Sequence, residues 1–161
     1  MRTVVRVVIL LLMPSLLAGA AAAQTAQGGT PKSVEEAVLA VTADMERAAA
    51  SGDVDRLFSF MLDTDKGSII QNGEFMATRQ DALQRVKNNF LRVSKVEYRW
   101  NRQHVTVLAP DVALLTAQGE STATTTEGQV FTAPFAQTVV FVLKDGRWKA
   151  IHGHQSSPQR R

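Results

Sequence analysis

Hydrophobic positions follow a helical period from about residue 34 to residue 93. Apolar residues recur at steps of three and four across residues 34–48, and later stripes of the same period include Val54 and Leu83. This spacing places the apolar side chains on one face of a helix, so three successive helices are predicted. Ser33 and Glu36 have the spacing of a capping box and are expected to start the first helix.

Short polar segments separate the predicted helices. Gly52 suits a left-handed cap at the end of the first helix, and Asp53 is placed to cap the second. Residues 68–71 predict a short strand, which is followed by a turn at Asn72-Gly73. Thr78 starts the third helix, with Asp81 three residues later as its capping partner.

The period changes to two at about residue 95, which is typical of half-buried strands. Residues 95–108, 112–123, 130–144 and 147–156 each predict a strand. Pro110 ends the first of them because proline cannot continue a ladder of hydrogen bonds, and Asp145-Gly146 is a strong hairpin signal. The order predicts an α+β fold in which three N-terminal helices pack on one face of a curved antiparallel sheet.

The first 23 residues have the pattern of a secretory signal peptide. Arg2 and Arg6 precede an apolar run over residues 7–17, and the small residues that follow suit cleavage after Ala23. A membrane anchor is the alternative, but the run is too short to span a bilayer and Pro14 interrupts it. The protein is therefore expected to be periplasmic or secreted, with no membrane span after signal removal. Residues 24–32 predict a flexible linker, and residues 158–161 a disordered tail.

Composition limits the classes of function. The 161 residues are enough for one domain, and the absence of cysteine excludes disulfides, thiolate metal sites and cysteine nucleophiles. Loss of the signal peptide lowers the net charge from +3 to +1, because Arg2 and Arg6 leave with it. The remaining basic residues are interleaved with apolar helix positions, so no nucleic-acid partner is expected.

Several short motifs resemble one known superfamily through their order and spacing. They are Ala50-Ser51-Gly52-Asp53, Gln80-Asp81-Ala82-Leu83, Pro110-Asp111-Val112-Ala113 and a terminal strand pair over residues 138–156 that turns at Asp145-Gly146. Over residues 33–157 this arrangement resembles the nuclear transport factor 2-like superfamily, and specifically its SnoaL-like branch. The resemblance implies a cone-shaped sheet wrapped against the helices, an internal pocket and frequent dimerisation, so a homodimer is expected.

The catalytic residues of enzymes in this superfamily do not carry over to this chain. Ketosteroid isomerase-like chemistry uses a tyrosine on the first helix and an aspartate near the first strand. Here the first helix has no tyrosine, since the one tyrosine of the chain is Tyr98, on a predicted strand. Asp63 and Asp65 lie near the expected base, but in a polar turn, so neither is assigned a catalytic role. The fold alone therefore does not select a function.

Strand alternation places the chemistry-bearing residues of the long strands in a common pocket. His152 and His154 are two residues apart and are expected to share the inward face with Trp148. The other pocket residues expected from alternation are Tyr98, Trp100, Gln118 and Gln137. Two imidazoles, a phenol and amides on an apolar wall favour a small hydrophobic ligand.

The histidine pair has three interpretations. Both imidazoles can be structural, since histidine is often partly buried. Either can serve as an acid or base in the pocket, because imidazole titrates near neutral pH. Metal binding needs a third ligand from His104, Glu120 or an aspartate, and no spacing identifies one, so neither a metal nor a cofactor is predicted.

Three functions compete on these residues. The favoured one is a secreted protein that binds a small hydrophobic molecule in the cone cavity. The second is an isomerase, cyclase or dehydratase acting on a hydrophobic carbonyl compound, with His154 or His152 as base and Tyr98 as hydrogen-bond donor. The third is a dimeric interaction domain that uses the outer face of the sheet.

Overall fold

Three helices and six strands make up the part of the chain that the computed structural model describes, residues 29–63 and 69–158. The helices are α1 (Pro31–Ala50), α2 (Val54–Ser59) and α3 (Arg79–Phe90). The strands are β1 (Ile69–Gln71), β2 (Glu74–Met76), β3 (Val93–Ala109), β4 (Val112–Thr125), β5 (Val130–Lys144) and β6 (Arg147–Ser156). The predicted α+β fold class is confirmed. The predicted signal peptide, Asp65 and most of the predicted linker and tail lie outside the described residues.

The strands form one curved, unclosed sheet in the order β2-β1-β6-β5-β4-β3. The four long strands pair in antiparallel fashion, as predicted. The sheet is not wholly antiparallel, however, because β1 runs parallel to β6, with Ile70 opposite His154. Strand β2 was not predicted; it pairs with β1 across a tight turn in which Asn72 and Gly73 have φ of 52° and 86°.

Helix α1 starts three residues earlier than its predicted capping box implies. The Thr30 side chain caps the helix and accepts a hydrogen bond from the Ser33 amide at 3.3 Å. Pro31 occupies the first helical position, where a missing N–H removes no intrahelical bond. The predicted cap at Ser33 is therefore wrong, and Pro31 and Lys32 belong to the helix and not to the predicted linker.

The other predicted caps are confirmed. Gly52 follows α1 with φ of 73°, and the Asp53 side chain then accepts a hydrogen bond from the Arg56 amide at 3.0 Å. At α3 the Asp81 amide donates to Thr78 Oγ1 at 3.0 Å, and the Thr78 amide donates to Asp81 Oδ2 at 3.2 Å. This reciprocal pair satisfies two backbone amides that have no acceptor within the helix. The caps at Asp53 and Thr78 therefore determine where α2 and α3 begin.

Two apolar clusters hold the helices to the sheet. The first cluster joins α1 to β4, β5 and β6 and consists of Val34, Val38, Ala113, Leu115, Ala117, Phe141 and Ala150. The second cluster joins α2 and α3 to β2 and consists of Val54, Phe58, Met76 and Ala82. Full burial of a large side chain such as Phe58 or Phe141 contributes about 1.5–3 kcal/mol. Met61 packs against both clusters, so it links the two halves of the core.

Register shifts bend the long strands. The β3–β4 pairing shifts between Trp100 and Arg102, among other places, and the β5–β6 pairing shifts between Val140 and Phe141. An inserted residue increases the local twist and bends the strand that carries it. These bulges therefore contribute to the curvature of the sheet.

Within the described ranges, none of the helices combines the length and apolar character that crossing a membrane requires.

Gly119 is expected to tolerate substitution poorly. A Cβ at this buried residue would lie 2.5 Å from the Arg99 carbonyl oxygen and 3.3 Å from the Trp100 Cα. Gly119→Ala should push β3 away from β4 and lower the free energy of unfolding by about 1–3 kcal/mol, as overpacking does. Gly153→Ala is the matched control, because a Cβ there meets nothing within 4 Å. Chemical denaturation followed by circular dichroism measures both, and equal losses of stability would contradict the close approach.

Candidate functional site

A cavity of about 250 Å³ lies between the helices and the sheet. Its lining includes Phe58, Met76 and Ala82 of the second apolar cluster and Ala150 of the first. The polar lining residues are Gln71, Asn89, Tyr98, Gln137, His152, His154 and Gln155. The cavity therefore occupies the space that the two clusters leave between them, and its size suits a small organic molecule.

A side lobe of about 120 Å³ adjoins this main cavity beneath α1. Met45 and Glu46 of α1 line the side lobe, together with Trp100 of β3 and other residues of the core. Tyr98, Gln137 and Gln155 line both spaces. These three polar side chains therefore stand at the junction of the main cavity and the side lobe.

The bulge between β5 and β6 changes which residues of β6 face the cavity. Ala150 lines the cavity before the bulge, whereas Gly153 and Gln155 line it after the bulge, opposite Val139 and Gln137. One inserted residue reverses the alternation of the strand. The cavity-facing positions of β6 thus pass from even to odd numbers, which a strictly alternating pattern cannot predict.

Residues 152 and 154 border the main cavity, but the register places their side chains on the outer face of β6 and not on the predicted inward face. Their cross-strand partners are Val140 and Thr138, neither of which lines the cavity. His152 is partly buried, and His154 is exposed, so His154 lies where the cavity meets solvent. Among the residues that the structure describes, no group of three His, Cys, Asp or Glu side chains is arranged to hold a metal ion.

The structure does not bring Gln118 and Trp148 to either space. Gln118 is exposed and paired with Arg102 and Ala136 on the opposite face of the sheet, so its predicted place in the pocket is wrong. Polar residues at 116, 118 and 120 alternate with small or apolar ones in β4, and this pattern already indicated the outer face. Trp148 packs against the first apolar cluster. The bulge lies between Trp148 and the two histidines, so the three side chains do not share one face as predicted.

Amide side chains form the polar part of the site on β1, β5 and β6. Gln71 Nε2 donates to Gln155 Oε1 at 3.1 Å, which leaves the Gln155 Nε2 group as a donor. The Gln137 amide makes no side-chain hydrogen bond to any other described residue. Gln137 was predicted in the pocket, whereas Gln71 and Gln155 were missed, because their placement depends on the parallel β1–β6 pairing and on the bulge.

Tyr98 and Trp100 share the inner face of β3, as predicted. Their rings stack with centroids 6.1 Å apart and an angle of 11°, and both meet Phe135 edge-on at 6.0 and 5.3 Å. Such aromatic pairs stabilise by about 0.5–1.5 kcal/mol beyond the area they bury. Trp100 Nε1 donates to Glu46 Oε2 at 2.9 Å. The cluster therefore holds the Tyr98 ring in one orientation beside α1.

Tyr98 is the most perturbed titratable group of the site. Burial raises the pKa of its phenol, and the negative charge of Glu46 raises that pKa further. The phenol consequently stays protonated at neutral pH. Since its hydroxyl has no hydrogen-bond partner among the described residues, it is available as a donor to a molecule in the cavity.

Comparison with known proteins establishes the family. The SnoaL-like domain family matches residues 38–160. The chain belongs to this family. The resemblance predicted from the motifs is thereby confirmed, and the matched range includes α2, α3 and all six strands of this SnoaL-like protein. Comparison with curated proteins gives no match.

Solved structures share the fold of this SnoaL-like protein at low sequence identity. A nuclear transport factor 2-like superfamily protein from Salmonella enterica has a TM-score of 0.74 and 13% identity, covering 81% of this chain and 95% of that one. A candidate dehydratase of the NTF2-like family from Streptomyces avermitilis has a TM-score of 0.71 and 22% identity, covering 81% of this chain and 100% of that one. A ketosteroid isomerase-like protein from Erwinia carotovora atroseptica has a TM-score of 0.65 and 17% identity, covering 78% of this chain and 96% of that one. Identities this low establish the fold alone.

The ionisation of Tyr98 can be measured directly, because the sequence holds one tyrosine. Ultraviolet titration of the folded protein should give a pKa above the ordinary value of about 10, and denaturation should restore that value. The folded state keeps the proton longer than the unfolded chain does, so stability should fall as the pH rises above about 10. Tyr98→Phe should remove that part of the alkaline destabilisation.

The Tyr98 titration also separates its two causes. Glu46→Gln should lower the raised pKa only part of the way, because burial is the larger cause. Glu35→Gln, at an exposed position of the same helix, is the matched control and should leave the pKa unchanged. An ordinary pKa in the folded wild-type protein would contradict the buried position of the phenol.

Proposed function

We propose that this SnoaL-like protein binds a small, mainly apolar molecule in the main cavity and its side lobe. The observation that supports the proposal is the distribution of groups, with apolar walls and three polar side chains, Tyr98, Gln137 and Gln155, gathered at one junction. Removing apolar ligand surface from water contributes about 25 cal/mol per Å² before the costs of association. A few polar groups then fix the orientation of the ligand.

The polar groups at the junction favour a ligand with at least one oxygen. The Tyr98 hydroxyl and the Gln155 Nε2 group are donors without a described protein acceptor, and Gln137 has both a donor and an acceptor. A buried donor that finds no acceptor costs about 1–3 kcal/mol. A carbonyl or hydroxyl oxygen placed at the junction satisfies these donors, so the ligand gains affinity from groups that have no partner in the described part of the chain.

Blocking the cavity tests the proposal. Calorimetric titration with 2-(2-naphthyl)ethanol, a neutral aromatic alcohol, should show saturable binding to the wild-type protein. Gly153→Leu fills open space between β6 and the helices and should weaken binding at least about tenfold by occlusion. Tyr98→Phe should weaken binding about threefold to tenfold, the usual worth of one hydrogen bond.

Ala136→Leu is the matched control, because Ala136 is an exposed residue of β5 and does not line the cavity. It should bind the alcohol as the wild-type protein does. Binding that Gly153→Leu leaves intact, or no binding by the wild-type protein, would contradict the proposed function.

The catalytic alternative needs a base inside the cavity. An imidazole would have to remove a proton from the carbon next to a carbonyl group while Tyr98 donates a hydrogen bond to the enolate oxygen that forms. The register places the side chains of His152 and His154 on the outer face of β6, away from Tyr98, so the geometry favours binding.

Hydrogen exchange tests the catalytic alternative without a known substrate. Incubation of 2-tetralone in deuterated water should show deuterium uptake beside the carbonyl, measured by NMR, at the same rate with and without the wild-type protein. An acceleration that His152→Gln or His154→Gln abolishes would contradict the outer position of that imidazole. His104→Gln is the control, since His104 lies on β3 and lines neither space.

We further propose export and self-association, in keeping with the expectations from the sequence. The pattern of residues 1–23 supports export to the periplasm or the medium, with Gln24 as the first residue of the mature protein. The frequent association of proteins of this fold as dimers supports a homodimer through the outer face of the sheet. The intact mass of the secreted protein and light scattering measure these two properties.

A further inference from the structure

We infer that the ligand is a basic amine, with its protonated nitrogen in the side lobe beside Glu46. This inference rests on the proposed binding function and names the chemical class of its ligand. Three observations support it. Among the described residues Glu46 has no ion-pair partner, neither lysine nor arginine lines the side lobe, and two aromatic rings line it together with Glu46.

Glu46 differs from Asp44 and Glu36, the acidic residues of α1 that form ion pairs. Asp44 forms an ion pair with Arg47 at 2.6 Å, and Glu36 lies 3.9 Å from Lys32, all toward solvent. Glu46 instead lines the side lobe, and it forms no ion pair with a lysine, arginine or histidine of residues 29–63 and 69–158.

The hydrogen bond from Trp100 orients Glu46 without neutralising it. Trp100 Nε1 donates to Glu46 Oε2 at 2.9 Å, and an ionised carboxylate can accept several further hydrogen bonds. An indole N–H is a neutral donor, so the negative charge remains. The raised pKa of Tyr98 has this charge as its second cause, so the charge acts at the junction between the two spaces.

The rest of the lining does not balance this charge. Within the described part of the chain, neither the main cavity nor the side lobe is lined by lysine or arginine, and the two histidines border the main cavity alone. In a partly dry space an unbalanced carboxylate attracts a cation and repels an anion more strongly than it would in water. The side lobe therefore selects against fatty acids and other carboxylates and in favour of ammonium groups.

The aromatic residues of the side lobe add to this preference. Tyr98 and Trp100 both line it, and the faces of tyrosine and tryptophan rings attract cations. An alkylammonium group placed beside Glu46 can donate to the carboxylate while its carbon atoms contact these rings. The apolar part of the ligand then occupies the main cavity.

Three probes that share one naphthyl group test the inference. They are 2-(2-naphthyl)ethylamine, 2-(2-naphthyl)ethanol and 2-naphthylacetate, which are cationic, neutral and anionic at neutral pH. Calorimetric titration of the wild-type protein should give affinities in the order amine, alcohol, carboxylate, with steps of about tenfold, the size of an ion-pair contribution in a partly screened site.

Glu46→Gln should abolish the preference for the amine over the alcohol, because glutamine can still accept the Trp100 hydrogen bond but carries no charge. Glu35→Gln removes the same charge from an exposed position of α1 and should keep the wild-type order. Circular dichroism checks that both variants are folded, and the order of the probes on the wild-type protein tests the inference even if Glu46→Gln does not fold.

The outcomes separate this inference from the proposed function. Binding of the alcohol with no advantage for the amine, or an advantage that Glu46→Gln retains, would overturn the amine class and leave the binding function standing. Failure of all three probes to bind would overturn both.

Discussion

The packing of α1 across the sheet is the interaction on which both the core and the site depend. Near its start the helix buries Val34 and Val38 against Leu115 and Phe141. Near its end the same face turns to Met45 and Glu46, which line the side lobe and do not complete a solid core. Because a helix is rigid over this length, the tight packing at one end fixes the position of the carboxylate at the other.

The cavity exists because the second apolar cluster stays apart from the first. Helices α2 and α3 pack on each other and on β2, and their caps at Asp53 and Thr78 determine where they start. Protein interiors normally leave few gaps larger than a water molecule. This space of about 250 Å³ opens to solvent, so it leaves apolar side chains uncovered that a bound molecule can bury.

The chemistry of the site differs between its two parts. The main cavity offers amides and a protonated phenol on an apolar wall. The side lobe offers a carboxylate held by an indole N–H. Tyr98 belongs to both and is affected by both burial and the charge of Glu46. A molecule that spans the two spaces therefore meets hydrogen-bond donors at the junction and negative charge beneath α1, and this order of groups restricts its chemistry more than the shared fold does.

The sequence by itself determined the elements whose interactions are local. Hydrophobic period predicted all three helices and the four long strands. The cap at Asp53 followed from its place directly after Gly52, and the cap at Thr78 followed from Asp81 three residues later. The order of short motifs was sufficient for the family. Periods and caps can be predicted from sequence because they depend on neighbouring residues. The exception is α1, which starts at Pro31 after a cap at Thr30, three residues before the predicted cap.

Only the tertiary structure decided which residues form the site. The parallel pairing of β1 with β6 brings Gln71 to Gln155, and the inserted residue near Ile151 exchanges the inner and outer positions of β6. The bond between Glu46 and Trp100 joins residues 54 positions apart, and no local pattern predicts it. Register and bulges arise from the fit between strands that are distant in sequence, so the phase of one strand cannot be read from that strand alone.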